Sequence, residues 1–286
     1  MSRFSQRRGF SLVELLLSFV LLGVLLGLLV PAAYGLQQTA HQQATINSLK
    51  QICLAIHNAN DTYKRLPPAY DKFSNWEFPA SVHVHLLPFL EQDNLYRAFQ
   101  NASGKGEVTE TTIKVFIAAD DNSNAADNVK GVQNFAANLR VFSIKGANTM
   151  YDKDMPKLGA TEPGNARIPA SFPDGTSNTI IFATKLAAAG DGGSRYAAEP
   201  NSKFAAFFGQ NAAKKPADPS DPTATFQLQP AAKDARNSPL MAQSFTKNLL
   251  VGLGDGSVRD VAAAISAETW NRAVHPSDGM VLGNDW

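Results

Sequence analysis

Glu14 carries the most chemical information in this chain. It is the single charge in the 21 residues from Phe10 to Val30, an otherwise almost wholly apolar run. A helix of that length rises roughly 30 Å, the thickness of a bilayer's hydrocarbon core. A carboxylate inside a membrane span costs roughly 2.5–3.5 kcal/mol, so it is expected to be functional and paired. No Lys or Arg lies within the run, so a neutralising cation must come from outside it. The plainer alternative is that Glu14 sits near one end of the span and reaches water there.

Few other residues could do chemistry. His83 and His85 alternate, so on a strand they share a face, and Glu91 and Asp93 follow. Two histidines without further placed ligands fall short of a zinc site, and no metal is expected. Asp120, Asn122 and Asn124 have the spacing that opens a calcium loop. Ala125 and Gly131 stand where that loop needs glycine and glutamate, so a solvated turn is expected. Cys53 is the lone cysteine. That excludes an internal disulfide and any multi-cysteine zinc or iron–sulfur centre, and Cys53 reads as a small buried apolar residue. No glycine-rich nucleotide loop, G-x-S-x-G elbow or H-E-x-x-H helix is present. The sequence therefore offers no catalytic residues and no cofactor, and an enzyme ranks last among its readings.

Composition narrows the class. With 26 Lys+Arg against 25 Asp+Glu, the chain lacks the basic excess of a nucleic-acid binder, and no nucleic-acid partner is expected. At 44% hydrophobic and 18% charged residues, it is too apolar to be disordered. Its 286 residues suit one large domain or two small ones.

The elements that would position Glu14 follow from patterning. Residues 1–9 carry Arg3, Arg7 and Arg8 and no acid. This basic side stays cytoplasmic, which puts everything after Val30 outside. The apolar run exceeds the ~7–15 residues of a cleavable signal core. Gly23 and Gly27 form a GxxxG, which lets helices approach closely in lipid. Pro31 lacks a backbone donor and predicts a kink or break. Beyond it, Ile46, Leu49, Ile52, Cys53, Ile56 and Ala59 recur at helical spacing, until Arg65-Leu66-Pro67-Pro68 ends the pattern. The expectation is one helix over 10–63, about 80 Å if unbroken, with a membrane span at 10–30.

Residues 64–286 read as a head of mixed structure. Val82–Leu90 suggests a short strand or buried segment, Glu91–Phe99 a helix, and Ile113–Ile117 and Asn138–Ile144 strands. Pro173-Asp174-Gly175-Thr176 is a tight turn before a strand at Thr179–Ala183. Phe204–Phe208 is short and apolar. Residues 210–237, rich in Pro, Ala and mixed charge, read as an exposed loop. Asn248–Leu253 and Ser257–Val261 flank Gly254-Asp255-Gly256 as a hairpin. Ser266 suits the N-cap of a helix to Val274, and Met280–Leu282 reads as an edge strand.

Residues 7–16, R-R-G-F-S-L-V-E-L-L, resemble the type IV prepilin processing motif. That resemblance implies that a prepilin peptidase cuts after Gly9 and N-methylates Phe10. It also implies that Glu14 pairs with the free amine of Phe10 on a neighbouring subunit. Cleavage would remove three arginines, leaving 23 basic against 25 acidic groups. The body, through N-S-L-K-Q-I-C-L-A-I-H-N (47–58), L-L-P-F-L-E-Q (86–92), D-G-T-S-N-T-I-I (174–181) and D-G-S-V-R (255–259), resembles a large bacterial prepilin-like family, domain of unknown function 1559. Members commonly carry a histidine where this chain has Thr246, and cysteines where it has Thr45 and the F-I-A-A-D-D block (116–121). The two missing cysteines suggest a pair lost as a unit. The turns at Asp174-Gly175 and Asp255-Gly256 read as structural signatures.

The resemblance implies an α+β, pilin-like fold: a long N-terminal helix packed on an antiparallel β-sheet head. It implies a prepilin-like or pseudopilin-like subunit of the bacterial inner membrane, single-pass, N-terminus cytoplasmic and head extracytoplasmic. The subunit would assemble into a pilus or type II secretion-like pseudopilus. Its partners would be prepilin peptidase, other pilin-like subunits and membrane lipid. The alternative is a non-polymerising membrane-anchored protein whose head binds glycan or protein.

Overall fold

A computed structural model describes residues 11–123, 130–142, 166–189, 192–200, 202, 204–209, 225–230 and 241–286, with the side chains of residue 26 and residues 28–37 also outside the described set. The fold class is α+β. Helix α1 runs Leu12–Tyr63. The chain divides into two compact units, Met1–Gln43 and Ala44–Trp286.

In the first unit the helical backbone continues through Pro31, so of the kink or break expected there the break is absent. Proline removes one ladder hydrogen bond, and the strong helix formers on both sides keep the rest.

The second unit is a sheet between two helices. Strands β3 (Phe135–Asn138), β4 (Ile180–Thr184), β7 (Phe207–Phe208), β10 (Asn248–Leu253) and β11 (Val258–Ala262) form one sheet in the order β11-β10-β4-β3-β7. All its pairings are antiparallel except β3 with β7. Side chains alternate along β3 and β10 as strand geometry requires, while in β4 a register shift opposite Gly252 and Leu253 puts Ile180 and Ala183 in the same cluster. Phe135, Ala137, Phe182, Phe207 and Leu250 join the cluster that holds Leu49, Ile52, Cys53, Ile56 and Ala59 of α1. Ala136, Ile180, Ala183, Phe208, Leu249 and Val251 join Trp270, Ala273 and Val274 of the C-terminal helix, Ala267–Val274. Helix and sheet meet closely at Gly252, where an added Cβ would lie 2.4 Å from Cys53 Sγ. A glycine there lets the α1 stripe seat on β10.

Among the described residues, three short pairs accompany the sheet, β1 (Tyr70–Asp71) with β2 (Ala80–Ser81), β5 (Ala188–Ala189) with β6 (Gly192–Gly193), and β8 (Gln227–Leu228) with β9 (Gln243–Ser244), together with the isolated bridges of Arg195 to Val132 and Ala205. Ser266 caps the last helix, its Oγ accepting the Thr269 N–H at 3.2 Å.

Several sequence expectations need correction. Val82–His85 is a helical turn and Leu87–Leu90 a 3-10 turn, not a strand. Lys114–Phe116 is likewise a 3-10 turn. The strand expected from Asn138 ends there, and Leu139–Phe142 turns helical. Short apolar runs bury equally well as strand or helix, so periodicity cannot separate them. Met280–Leu282 forms no strand. Most of the loop expected at 210–237 lies outside the described residues. Its described part contains β8 and buried Phe226, so it is not uniformly exposed.

Candidate processing and assembly site

The start of α1 is fixed by a reciprocal cap. Ser11 Oγ accepts the Val13 N–H at 3.3 Å, and Glu14 Oε2 accepts the Ser11 N–H at 2.9 Å. S-L-V-E is thus a capping box, with serine at the N-cap and glutamate at the third helical position. The positive end of the helix dipole favours a carboxylate at that place. A search for cations overlooks this partner: Glu14 has a donor in its own chain. The S-x-x-E spacing was the signal that could have shown it. Gly9 and Phe10 lie outside the described residues.

Around Glu14 the helix is apolar on every side. Leu12, Val13, Leu15–Leu17, Phe19–Leu22, Val24 and Leu25 are each 51–78% exposed. A helix apolar all round is stable only within lipid or among other helices. A Cβ added at Gly23 or Gly27 would meet nothing within 4 Å, so both glycines leave a shallow open surface. Among the described residues, no helix is long and apolar enough to cross a membrane. The described run Leu12–Leu25 spans about 20 Å, and the apolar sequence continues into residues whose side chains lie outside the described set.

The other chemically suggestive residues have structural roles. His83 is fully buried; its Nε2 lies 2.8 Å from Phe135 O, and its ring touches Phe116, Phe182 and Phe207. His85 Nε2 lies 2.9 Å from Asp71 O. Burial pushes both imidazoles down to about 4, so they are neutral at pH 7. Asp121 accepts from Ser123 N, Ser123 Oγ and Ala187 N at 2.8–2.9 Å, and from Asn134 Nδ2. Its half-buried carboxylate clasps neighbouring segments together, where a solvated turn is expected. Burial, reinforced by the Asp255 charge, pushes the Cys53 thiol far up, so it stays a thiol. Among the described residues, no group of three or more His, Cys, Asp or Glu is gathered for a metal.

The two signature turns meet. Asp255 N donates to Thr176 O at 3.1 Å, and Gly254 N to Thr179 O at 2.9 Å. Gly175 and Gly256 have φ of +103° and +87°, which glycine adopts without strain. Asp174 accepts the Asp278 and Gly279 N–H groups at 2.6 and 2.9 Å, tying down the C-terminal tail. Asp255 Oδ1 accepts from Ser257 N and Oγ. These contacts are all internal, so both motifs hold the fold together.

Residues 38–268 match the family described as protein of unknown function (DUF1559), more than half of the chain. The chain belongs to this family. Residues 4–30 also match the prokaryotic N-terminal methylation motif. Neither description names an enzymatic activity. No curated protein matches, and no solved structure matches. Within this DUF1559 chain, Thr45 and the 116–121 block are linked by a side-chain hydrogen bond. Thr45 Oγ1 hydrogen-bonds Asp120 Oδ1 across 75 positions. Thr246, at the place of the expected histidine, is bonded locally to Ser244 and Asn248.

Proposed function

We propose that the chain is a prepilin-like subunit, trimmed after Gly9, N-methylated at Phe10, anchored by the apolar part of α1 and assembled through it. The observation that carries this reading is the all-round apolar surface of Leu12–Leu25, bearing one carboxylate at its start and lying within the methylation-motif match. The bilayer takes that surface first, and other helices take it on assembly, with Gly23 and Gly27 permitting close approach. The basic leader holds the N-terminus in the cytoplasm, and the head lies outside.

The capping box refines the role of Glu14. Cleavage turns the nitrogen of residue 10 into a cation. By covalent geometry it lies within about 4 Å of the Ser11 nitrogen that Glu14 already holds. The mature amine therefore meets a carboxylate of its own chain as well as a neighbour's, and assembly exchanges one for the other. Glu14→Gln keeps a capping side chain but loses the charge, whereas Glu14→Leu loses both. At matched membrane levels, both variants should be cleaved, as mass spectrometry of the mature N-terminus reports. Both should lose helix–helix cross-linked oligomers. Oligomer yields equal to wild type in Glu14→Gln would defeat the charge-pairing role. Equal yields in both would leave an anchored, non-assembling protein. An uncut Met1 would defeat the processing step.

A further inference from the structure

Among the described residues, Arg195 holds a buried guanidinium nitrogen with no hydrogen-bond acceptor. Arg195 stands on isolated bridges to Val132 and Ala205, and its backbone N–H donates to Phe204 O at 2.8 Å. Its guanidinium lies 4.0 Å from the centroid of the Phe204 ring. Its Nε is buried without an acceptor among the described residues. Glu199, four residues further along, accepts from the Tyr70 hydroxyl at 3.4 Å. Arginine cannot shed its charge to relieve such burial, and an unsatisfied buried donor is destabilising. An acceptor supplied from outside would remove that strain.

Arg195 lines a cavity of about 210 Å³ with Thr109, Ala197, Ala198, Ser202 and Phe204. The walls are held by packed structure. Tyr196, next along the chain, is fully buried and donates to Val108 O at 2.9 Å, which fixes the segment bearing Thr109. Ser202 Oγ accepts the Phe204 N–H at 3.1 Å, leaving its hydroxyl hydrogen for a ligand. Thr109 Oγ1 donates to Gly106 O at 2.9 Å, leaving its lone pairs to accept.

We propose that this cavity binds a sugar acid, one ring bearing one carboxylate, with Arg195 as the carboxylate-binding residue. The guanidinium fork matches a carboxylate in two parallel bonds, and the Phe204 ring packs against it at 4.0 Å. A single lining cation suits a singly charged group, not a doubly charged phosphate. The volume exceeds the ~150 Å³ that accommodates a benzene ring, room for one six-membered ring. Alanine methyls face its C–H surface, while the Thr109 and Ser202 hydroxyls meet its hydroxyl edge. The assembly reading plays no part in this site, so either can fail without the other.

The test uses the purified full-length chain in detergent micelles, titrated with glucuronate by calorimetry or ligand-observed NMR. Glucose and inorganic phosphate form separate arms. Saturable glucuronate binding is expected, at least tenfold tighter than glucose or phosphate. Arg195→Gln should weaken it at least tenfold. Ala198→Trp, which fills the cavity without touching the charge, should do the same. Thr109→Val is the milder third variant, expected to weaken binding severalfold, and cooperative melting identifies the variants that have folded. No binding at tens of millimolar glucuronate overturns the proposal. So does undiminished binding by a folded Arg195→Gln or Ala198→Trp, or phosphate or glucose binding as tightly as glucuronate.

Discussion

Replacing Gly252 with alanine tests how α1 seats on the sheet. The added Cβ would lie 2.4 Å from Cys53 Sγ and 3.3 Å from Leu49 Cδ1. Ordinary carbon contacts begin near 3.5 Å, so the sulfur must retreat by about 1 Å. It has nowhere to go, because Cys53, Leu49, Ile52 and Ile56 are all fully buried. Overpacking of this kind costs about 1–3 kcal/mol, and the rigid backing puts the cost at the upper end. For a unit of this size that lowers Tm by roughly 4–12 °C. Cys53→Ala removes the obstructing sulfur and alone costs about 1 kcal/mol or less for one small buried atom. The decisive measurement is the double-mutant cycle, read by thermal or urea unfolding of the full chain in detergent. The Gly252→Ala, Cys53→Ala double variant should be more stable than Gly252→Ala alone, with a coupling of about 1–2 kcal/mol. Additive losses would show that the glycine serves backbone conformation at the β10 register shift and not the helix contact.

Three further outcomes follow from particular contacts. His83 and His85 have folded pKa values near 4 against about 6.5 unfolded. The unfolded chain therefore binds more protons between those values, and stability is full above pH 6.5 and falls as pH drops towards 4, by on the order of 3 kcal/mol for each histidine. Urea midpoints from pH 7.5 to 4.5 would reveal it, and a flat profile contradicts their burial as neutral rings. Asp121→Ala strips acceptors from Ser123, Asn134 and the Ala187 N–H and should cost about 2–4 kcal/mol; a loss below 1 kcal/mol would refute the clasp. A chain lacking residues 1–31 should be monodisperse, with helix and strand in its circular dichroism, whereas aggregation would tie the apolar segment to the core.

What the sequence showed, and what it hid, divides along contact range. The helical stripe from Leu49 to Ala59 was legible because its period is local. The same holds for the hairpin around Gly254-Asp255-Gly256 and the Ser266 cap, where each residue reports on neighbours two to four places away. Glu14 stood out for the same reason, one charge in an apolar run. Even there, attention to charge hid the simpler partner, the Ser11 N–H three residues back. At Val82–Leu90 the expected burial is found but the expected strand is not, because burial removes the alternation that would mark a strand, and β-branched residues next to histidines fit a helical turn in a core equally well. The clasp at Asp121 reaches Ala187 across 66 positions, and Thr45 reaches Asp120 across 75. Neither spacing has a local signature. Arg195 is the extreme case. In G-S-R-Y it looks like an ordinary surface arginine, and only the fold, by setting Thr109 beside it and turning Glu199 towards Tyr70, leaves its Nε without an acceptor among the described residues. Such a site has no motif to read, because what defines it is a missing contact, and a missing contact exists only once every other one has formed.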